Sequence, residues 1–246
     1  MDRDRYLERI GVDGDRLTED RFELLATLQR RHLRTVPFTN CFVLEGTGTT
    51  LRPDRAVPRI ASGGGGLCYD LNGGFAWLLE EFGYDVALVS ARPVRDDGSC
   101  GPEYDHLALT VDGHLVDVGF GEFARRPLPL DGEPRSDPSG TYRVVREEDH
   151  VVEKRTDDGW EATYRFDPTP REASEFEEMC RHHASSPDSP FTGDLLATIA
   201  TETGRITLSD TSLTVREGET REKRDVADGD VADVLCERFG LEVEPN

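Results

Sequence analysis

The sequence predicts an α+β fold, and three features of it do so. Apolar residues recur at helical spacing through the first third, short β-rich runs replace them from Asp85 onward, and the tail mixes both patterns. Thr18, followed by Glu19 and Asp20, reads as a helix N-terminus with acids in the first turn, where the helix dipole favours them. Phe22, Leu25, Leu28 and Leu33, with Leu24 beside them, mark one face, and Pro37 stops that helix. A Gly/Thr/Pro-rich loop then leads to Gly63-Gly64-Gly65-Gly66. Beyond it Leu71, Phe75, Leu78, Leu79 and Phe82 fall at i, i+4, i+7, i+8 and i+11, a second helix with Gly83 as its C-terminal stop.

From Asp85 the spacing changes. Residues 86–91, 106–111 and 114–118 read as strands, and Asp112-Gly113 between the last two is a two-residue hairpin signal. Further strands are expected over 142–145, 151–155 and 161–166, a helix over 172–182, a hairpin over 206–215 and a closing amphipathic helix over 226–239. The expected organisation is a helical domain over residues 1–84, an antiparallel β-barrel over 85–190 and an α/β unit over 191–246.

Charge narrows the function classes. The chain has 50 acidic and 29 basic residues, net −21, so nucleic acid and anionic lipid would both be repelled. Only Lys154 and Lys223 are lysines. Periodic apolar segments exclude a disordered acidic chain. The acidity is read as adaptation to a salty cytoplasm, where a Debye length of about 3 Å at 1 M salt screens self-repulsion. No apolar stretch is long enough to span a membrane, and no secretory leader is visible, so an intracellular protein is expected. Five dispersed cysteines without a C-x-x-C pair favour free thiols over disulfides or a metal site.

Among them Cys68 stands out. It lies between four glycines and a helix start, where unpaired backbone N–H groups and the positive dipole end favour a thiolate. A hairpin closed at Asp112-Gly113 puts Val111 opposite His114 and Leu109 opposite Val116. In that register His106 and Asp117 are diagonal neighbours on one face, about 7–8 Å apart at the backbone. Asp117 interrupts the apolar run Leu115-Val116-Asp117-Val118, and a buried carboxylate needs a partner. His114 points the other way. A poised cysteine plus a carboxylate-oriented histidine is the arrangement of an activated thiol nucleophile. The same residues also fit a structural cysteine after a loop and a His–Asp pair bracing a sheet.

G-G-G-G-L-C-Y-D-L-N-G-G-F, D-H-L-A-L-T-V and L-V-D-V-G-F-G closely resemble the arylamine N-acetyltransferase family. Tyr6 to Gly11, Val36 to Asn40, Ser185 to Phe191 and Gly204 to Leu208 extend the likeness over nearly the whole chain, as an acidic, haloarchaeal-like member. The resemblance implies a papain-like cysteine-nucleophile core, with a helical domain, a β-barrel and a short C-terminal α/β lid. It implies ping-pong transfer from acetyl-CoA through acetyl-Cys68 to an arylamine, arylhydroxylamine or hydrazine, without a metal. Cys68, His106 and Asp117 would be the triad, Phe38 and Phe120 would line the acceptor pocket, and Gly121 would lie along the pantetheine path.

Two positions depart from the family pattern. Gly64 stands where the family has an arginine and Thr39 where it has a glutamate, so a neutral active-site wall is expected, into which Gly64→Arg would strand a charge. The net charge is expected to slow capture of CoA in dilute buffer; Arg125 and Arg126, just after Gly121, read either as plain surface arginines or as groups that offset it locally by meeting the phosphates of CoA. A thiol hydrolase or transglutaminase-like enzyme shares the Cys, His, Asp order, and an amide synthase shares the family. A silent CoA-binding protein is the alternative outside catalysis.

Overall fold

Helices build the first third of the chain, in a computed structural model that describes residues 1–242. They are α1 (Arg3–Arg9), α2 (Arg21–Thr35), α3 (Cys41–Leu44), α4 (Pro53–Ala61) and α5 (Cys68–Glu81), with the short strand β1 (Phe38–Thr39) between α2 and α3. The N-cap of α2 is Asp20, whose carboxylate accepts from Glu23 N at 3.1 Å; Thr18 instead takes the N–H of Asp20. The cap therefore sits two residues later than the sequence signal. The loop expected before the glycines contains α4. Pro58 inside it reads as a breaker, yet Pro53 at the helix start is pre-organised for the first turn. Ala56, Val57 and Ile60 bury the inner face of α4.

Next come β2 (Val86–Pro93), β3 (His106–Val111), β4 (His114–Val116), β5 (Leu128–Pro129), β6 (Arg135–Asp137), β7 (Gly140–Arg146), β8 (His150–Thr156) and β9 (Gly159–Phe166). They form one antiparallel sheet in the order β5-β4-β3-β2-β9-β8-β7-β6, curled into a nearly closed barrel. Val89, Ala108, Leu115, Phe123, Tyr142 and Tyr164 fill it. The β3–β4 register is the expected one, Val111 opposite His114 and Leu109 opposite Val116. Asp112 and Gly113 both take positive φ, 48° and 76°, as a tight hairpin needs.

The segment expected as a helix over 172–182 begins with the 3-10 turn Ala173–Phe176 and continues as α6 (Glu177–Ser185). A second sheet, β1-β10-β11-β12-β13, adds β10 (Leu196–Ala200), β11 (Gly204–Ser209), β12 (Ser212–Glu217) and β13 (Thr220–Asp225). Asn40 fastens the helical region to the segment entering β10: its side chain donates to Phe191 O and Asp194 O and accepts from Leu196 N at 2.7 Å. The closing helix is broken into a 3-10 turn, α7 (Val231–Val234) and a π-type turn over Leu235–Phe239. Val234, Leu235 and Phe239 still cover Ile206, Leu208 and Leu213, so the amphipathic pattern records burial where it overstates helix length.

Candidate active site

Cys68 is the first residue of α5, with little exposed surface. Asp70, in the third helical position, reaches back to the N–H of Leu67 at 3.1 Å and fixes the entry of the chain. The glycines that precede it serve contact within the protein. A Cβ on Gly65 would lie 2.2 Å from Pro37 O, and one on Gly66 would lie 2.6 Å from Asp70. They bring the loop against its own neighbours.

His106 opens β3, and Asp117 follows the end of β4. That strand was expected to run to Val118 but stops at Val116, because side chains take over the backbone: Val118 N donates to Asn72 Oδ1 and Gly119 N to Asp117 Oδ1, each at 2.8 Å. His106 Nε2 lies 2.7 Å from Asp117 Oδ2, which leaves Nδ1 as the nitrogen for the thiol of Cys68, a residue that lines the same cavity and stands near enough to raise the pKa of the imidazole. The three predicted residues therefore converge.

Asp117 is fully buried and fully satisfied. Oδ1 accepts from Asn72 Nδ2 at 2.9 Å and from Gly119 N; Oδ2 takes His106 and the Tyr164 hydroxyl at 3.0 Å. Burial opposes a charge on His106, but the charge and hydrogen bond of Asp117 and the nearby Cys68 outweigh it and raise its pKa to about 10. The imidazole thus holds its proton at neutral pH.

Asn72 and Tyr164 escaped the sequence reading as site residues. Asn72 carried a signal, one helical turn after Cys68 on the same face of α5. Tyr164, from distant β9, carried none.

A cavity of about 670 Å³ opens over the thiol, lined by Cys68 and His106 and by the aromatic rings of Phe38, Phe120 and Phe191. Phe120 meets the His106 ring edge-on at 5.1 Å, and Phe38 meets Phe191 at 5.9 Å. Gly121 takes φ +87° just behind Phe38 and is not among the lining residues. The same cavity holds a second histidine–carboxylate pair. His183 Nε2 lies 2.8 Å from Asp105 Oδ1 and its Nδ1 lies 3.0 Å from Ser189 Oγ.

Two expectations fail. The wall beside the glycines is charged, because Arg59 on α4 pairs with Asp70 at 3.0 Å and lies over the Phe42 ring. A Cβ on Gly64 would come within 2.8 Å of Arg59 Cγ and O, so a larger residue there clashes with this cation. Arg125 is buried and spends its donors on Thr201 O, Glu202 O, Gly204 O and Ser139 Oγ. Arg126 pairs with Glu23 at 2.5 Å. Arg125 is buried with four of its five N–H donors spent on these inward partners, and Arg126 is turned to α2.

Among the described residues, no cluster of His, Cys, Asp and Glu is arranged to hold a metal ion, and no helix is long and apolar enough to cross a membrane.

Comparison with known proteins agrees with this geometry. The N-acetyltransferase family profile matches residues 21–246. The arylamine N-acetyltransferase of Mycolicibacterium smegmatis is 32% identical over 99% of this chain and 93% of its own. The crystal structure of a Bacillus cereus arylamine N-acetyltransferase, described as having a Cys-His-Glu catalytic triad, superposes with a TM-score of 0.90 at 26% identity, covering 98% of each chain. That of the Mycobacterium marinum enzyme in complex with CoA gives 0.87 at 28% identity, covering 97% of this chain and 92% of that one. The expected papain-like α+β fold is the one observed, and the chain belongs to the arylamine N-acetyltransferase family.

Proposed function

We propose that this enzyme carries an acetyl group from acetyl-CoA, through a thioester on Cys68, to the nitrogen of an aromatic amine, hydroxylamine or hydrazine. The observation that carries the reading is the Cys68–His106–Asp117 array at the base of an aromatic cavity. The Cys68 thiolate attacks the acetyl carbonyl, and the open N–H groups of the first turn of α5 receive the developing oxyanion. Collapse of the tetrahedral intermediate expels CoA, whose sulfur takes the proton held by His106. The acceptor amine then attacks acetyl-Cys68 and gives its proton back to His106, and the amide leaves. Asp117 keeps the imidazole oriented throughout, as the aspartate in a role the Bacillus cereus relative gives to glutamate.

Phe38, Phe120 and Phe191 suit a flat aromatic ring. Gly121 retains its assignment to the pantetheine path, since it connects Phe120 to the residues behind the cavity. Asp105, held by His183, gives the acceptor end of the cavity a negative group, which disfavours acceptors that carry a carboxylate. The net charge of −21 fits a cytoplasm of high salt, and a melting temperature that rises with KCl concentration is the expected result.

The deciding experiment is intact-mass analysis after mixing with acetyl-CoA. A stable acetyl adduct that maps to Cys68, is absent in Cys68→Ser and is discharged by an aromatic amine supports transfer. Release of CoA without a lasting adduct or acceptor would instead make the protein a thioester hydrolase.

A further inference from the structure

The cavity over Cys68 contains a histidine–carboxylate pair twice, with the ring atoms used in the same way. His106 turns Nε2 to Asp117 and leaves Nδ1 for the Cys68 thiol. His183 turns Nε2 to Asp105 Oδ1, 2.8 Å away, and Nδ1 to Ser189 Oγ, 3.0 Å away. Asp105 directly precedes His106, so the head of β3 delivers both to the cavity, and the Tyr69 hydroxyl pins the backbone there by donating to Tyr104 O at 2.8 Å. His183 comes from the last turn of α6, with the Tyr69 ring at 6.1 Å and the Phe191 ring at 5.0 Å, and Ser189 comes from the turn that follows. This second array is not a second nucleophile. The N–H groups of its turn are spent locally, Ser189 N on Ser186 O and Phe191 N on Ser189 Oγ, and Pro190 has none, so the turn offers no donor to an oxyanion.

A proton on His183 changes what the array presents. With the imidazole neutral, Nε2–H donates to Asp105 and the Ser189 hydroxyl donates to Nδ1. The pair then carries one negative charge, and Asp105 Oδ2, without a hydrogen bond among the described residues, is open as an acceptor. With the imidazole protonated, Nδ1–H donates to Ser189 Oγ instead. That oxygen also accepts from Phe191 N at 3.2 Å, so its own hydrogen is released for another partner. The pair is now neutral overall, and the serine has a proton to give. A hydroxyl that can give or accept lets the buried histidine change state without losing a hydrogen bond.

The surrounding groups hold their charge meanwhile. Burial raises the pKa of the Tyr69 hydroxyl and lifts that of the Cys180 thiol, one turn before His183 on α6, to about 12, so both stay neutral. Arg95 and Asp188 line the cavity from exposed positions with opposite charges, and Cys68 and His106 act on every acceptor alike. Histidine is the side chain whose charge changes between about pH 5 and 8. The other one on this wall is His182, 5.3 Å from His183. We propose that the proton on His183 selects the acceptor by charge: without it the cavity favours aromatic amines with a cationic or hydrogen-bond-donating substituent, and with it those with a carboxylate or another hydrogen-bond acceptor are admitted. The proposal rests on the acetylation of aromatic amines argued above and names the group that sets which of them are used.

The test measures kcat/KM for para-aminobenzamidine and para-aminobenzoate from about pH 5.5 to about pH 8.5, a range that brackets the titration of histidine. Their ratio cancels the titration of the triad, and it should rise about tenfold with pH, the scale of one charge-assisted contact. His182→Gln should keep that rise, and His183→Gln should flatten it. A flat ratio in the wild type, or a rise that survives His183→Gln, overturns the proposal. A second readout needs neither turnover nor a variant that folds. The ring resonances of His183, identified by their contacts with Tyr69 and Phe191, are titrated by NMR in the resting protein with benzoate or benzamidine present. By linkage, benzoate should move the midpoint up and benzamidine should move it down. Opposite shifts uphold the selector even if no acetyl transfer is found; a midpoint that neither ligand moves rejects it even if transfer is confirmed.

Discussion

Arg59 and Asp70 meet across the loop that delivers Cys68, with Arg59 Nη1 3.0 Å from Asp70 Oδ1 and 2.9 Å from Gly48 O. Asp70 also accepts from Leu67 N, Thr50 N and the Thr49 hydroxyl, so one carboxylate ties α4, the preceding loop and the start of α5 together. Burial pushes its pKa up to about 6, against the lowering pull of Arg59 and these hydrogen bonds. Arg59→Met removes that cation from a fully buried partner and should cost about 3 kcal/mol at neutral pH. A carboxyl whose folded pKa lies above its unfolded value of 3.8 favours the native state most when protonated and loses that contribution as pH rises through about 6. Without Arg59 the folded pKa moves higher still. The stability gap between wild type and variant, from urea titrations, should therefore be small below pH 3.8 and widen above about 6. A gap constant with pH would mean that Arg59 acts through packing alone.

Gly119 lies against the nucleophile. A Cβ there would stand 2.7 Å from Cys68 Cα and 2.7 Å from Asn72 Nδ2, and neither atom is the free end of a flexible chain. Gly119→Ala should cost about 1–3 kcal/mol through overpacking. Because the strain falls on the reacting cysteine, the rate of CoA release in a single turnover should drop by roughly a hundredfold. A variant that loses stability but acetylates at the wild-type rate would show that the site tolerates the displacement.

The proposed triad was legible because each of its residues sits in a local pattern: a glycine run before a helix, a two-residue hairpin that sets register, and a lone carboxylate in an apolar strand. The hairpin alone placed His106 and Asp117 on one face. What the sequence hid are relations made only by tertiary packing. Arg59 lies in a stretch whose Pro58 reads as a breaker, and the pairing that gives it a role joins two helices. Tyr164 reaches Asp117 because β9 pairs with β2, a contact spanning more than seventy residues that no local spacing encodes. Arg125 failed as a phosphate ligand for a related reason: adjacency to the active-site loop says nothing about direction, and its side chain turns inward to three carbonyls.

Asp105 offers a test of acceptor choice. Its side chain is 19% exposed toward the cavity side of His183, which holds it through Oδ1 and leaves Oδ2 without a hydrogen bond among the described residues. A partly desolvated carboxylate is screened less than a surface one. The wild-type enzyme should therefore prefer para-aminobenzamidine to para-aminobenzoate as acceptor, with para-aminobenzamide between. Asp105→Asn should compress that range by about tenfold, the scale of one charge-assisted contact. Referring each acceptor to the same acceptor in the wild type cancels differences in intrinsic nucleophilicity. An order unchanged in the variant would remove Asp105 from the acceptor subsite.

The His106–Asp117 pair makes stability depend on pH in a defined direction. The folded pKa of His106 is raised to about 10 from 6.5, despite burial, by Asp117 and the nearby Cys68. The native state therefore binds a proton that the unfolded chain has released across that interval. The contribution of the pair is fully present below pH 6.5 and is lost as pH rises through about 10. His106→Gln keeps a hydrogen-bonding side chain but removes the titration. Melting temperatures of the two proteins should consequently differ most near pH 6.5 and converge as pH approaches about 10. The wild-type curve should fall across this range with a slope of up to one proton more than the variant. Parallel curves would mean that His106 binds no net proton on folding: either the imidazole is neutral in the resting enzyme, or its proton was taken from the Cys68 thiol as the ion pair formed.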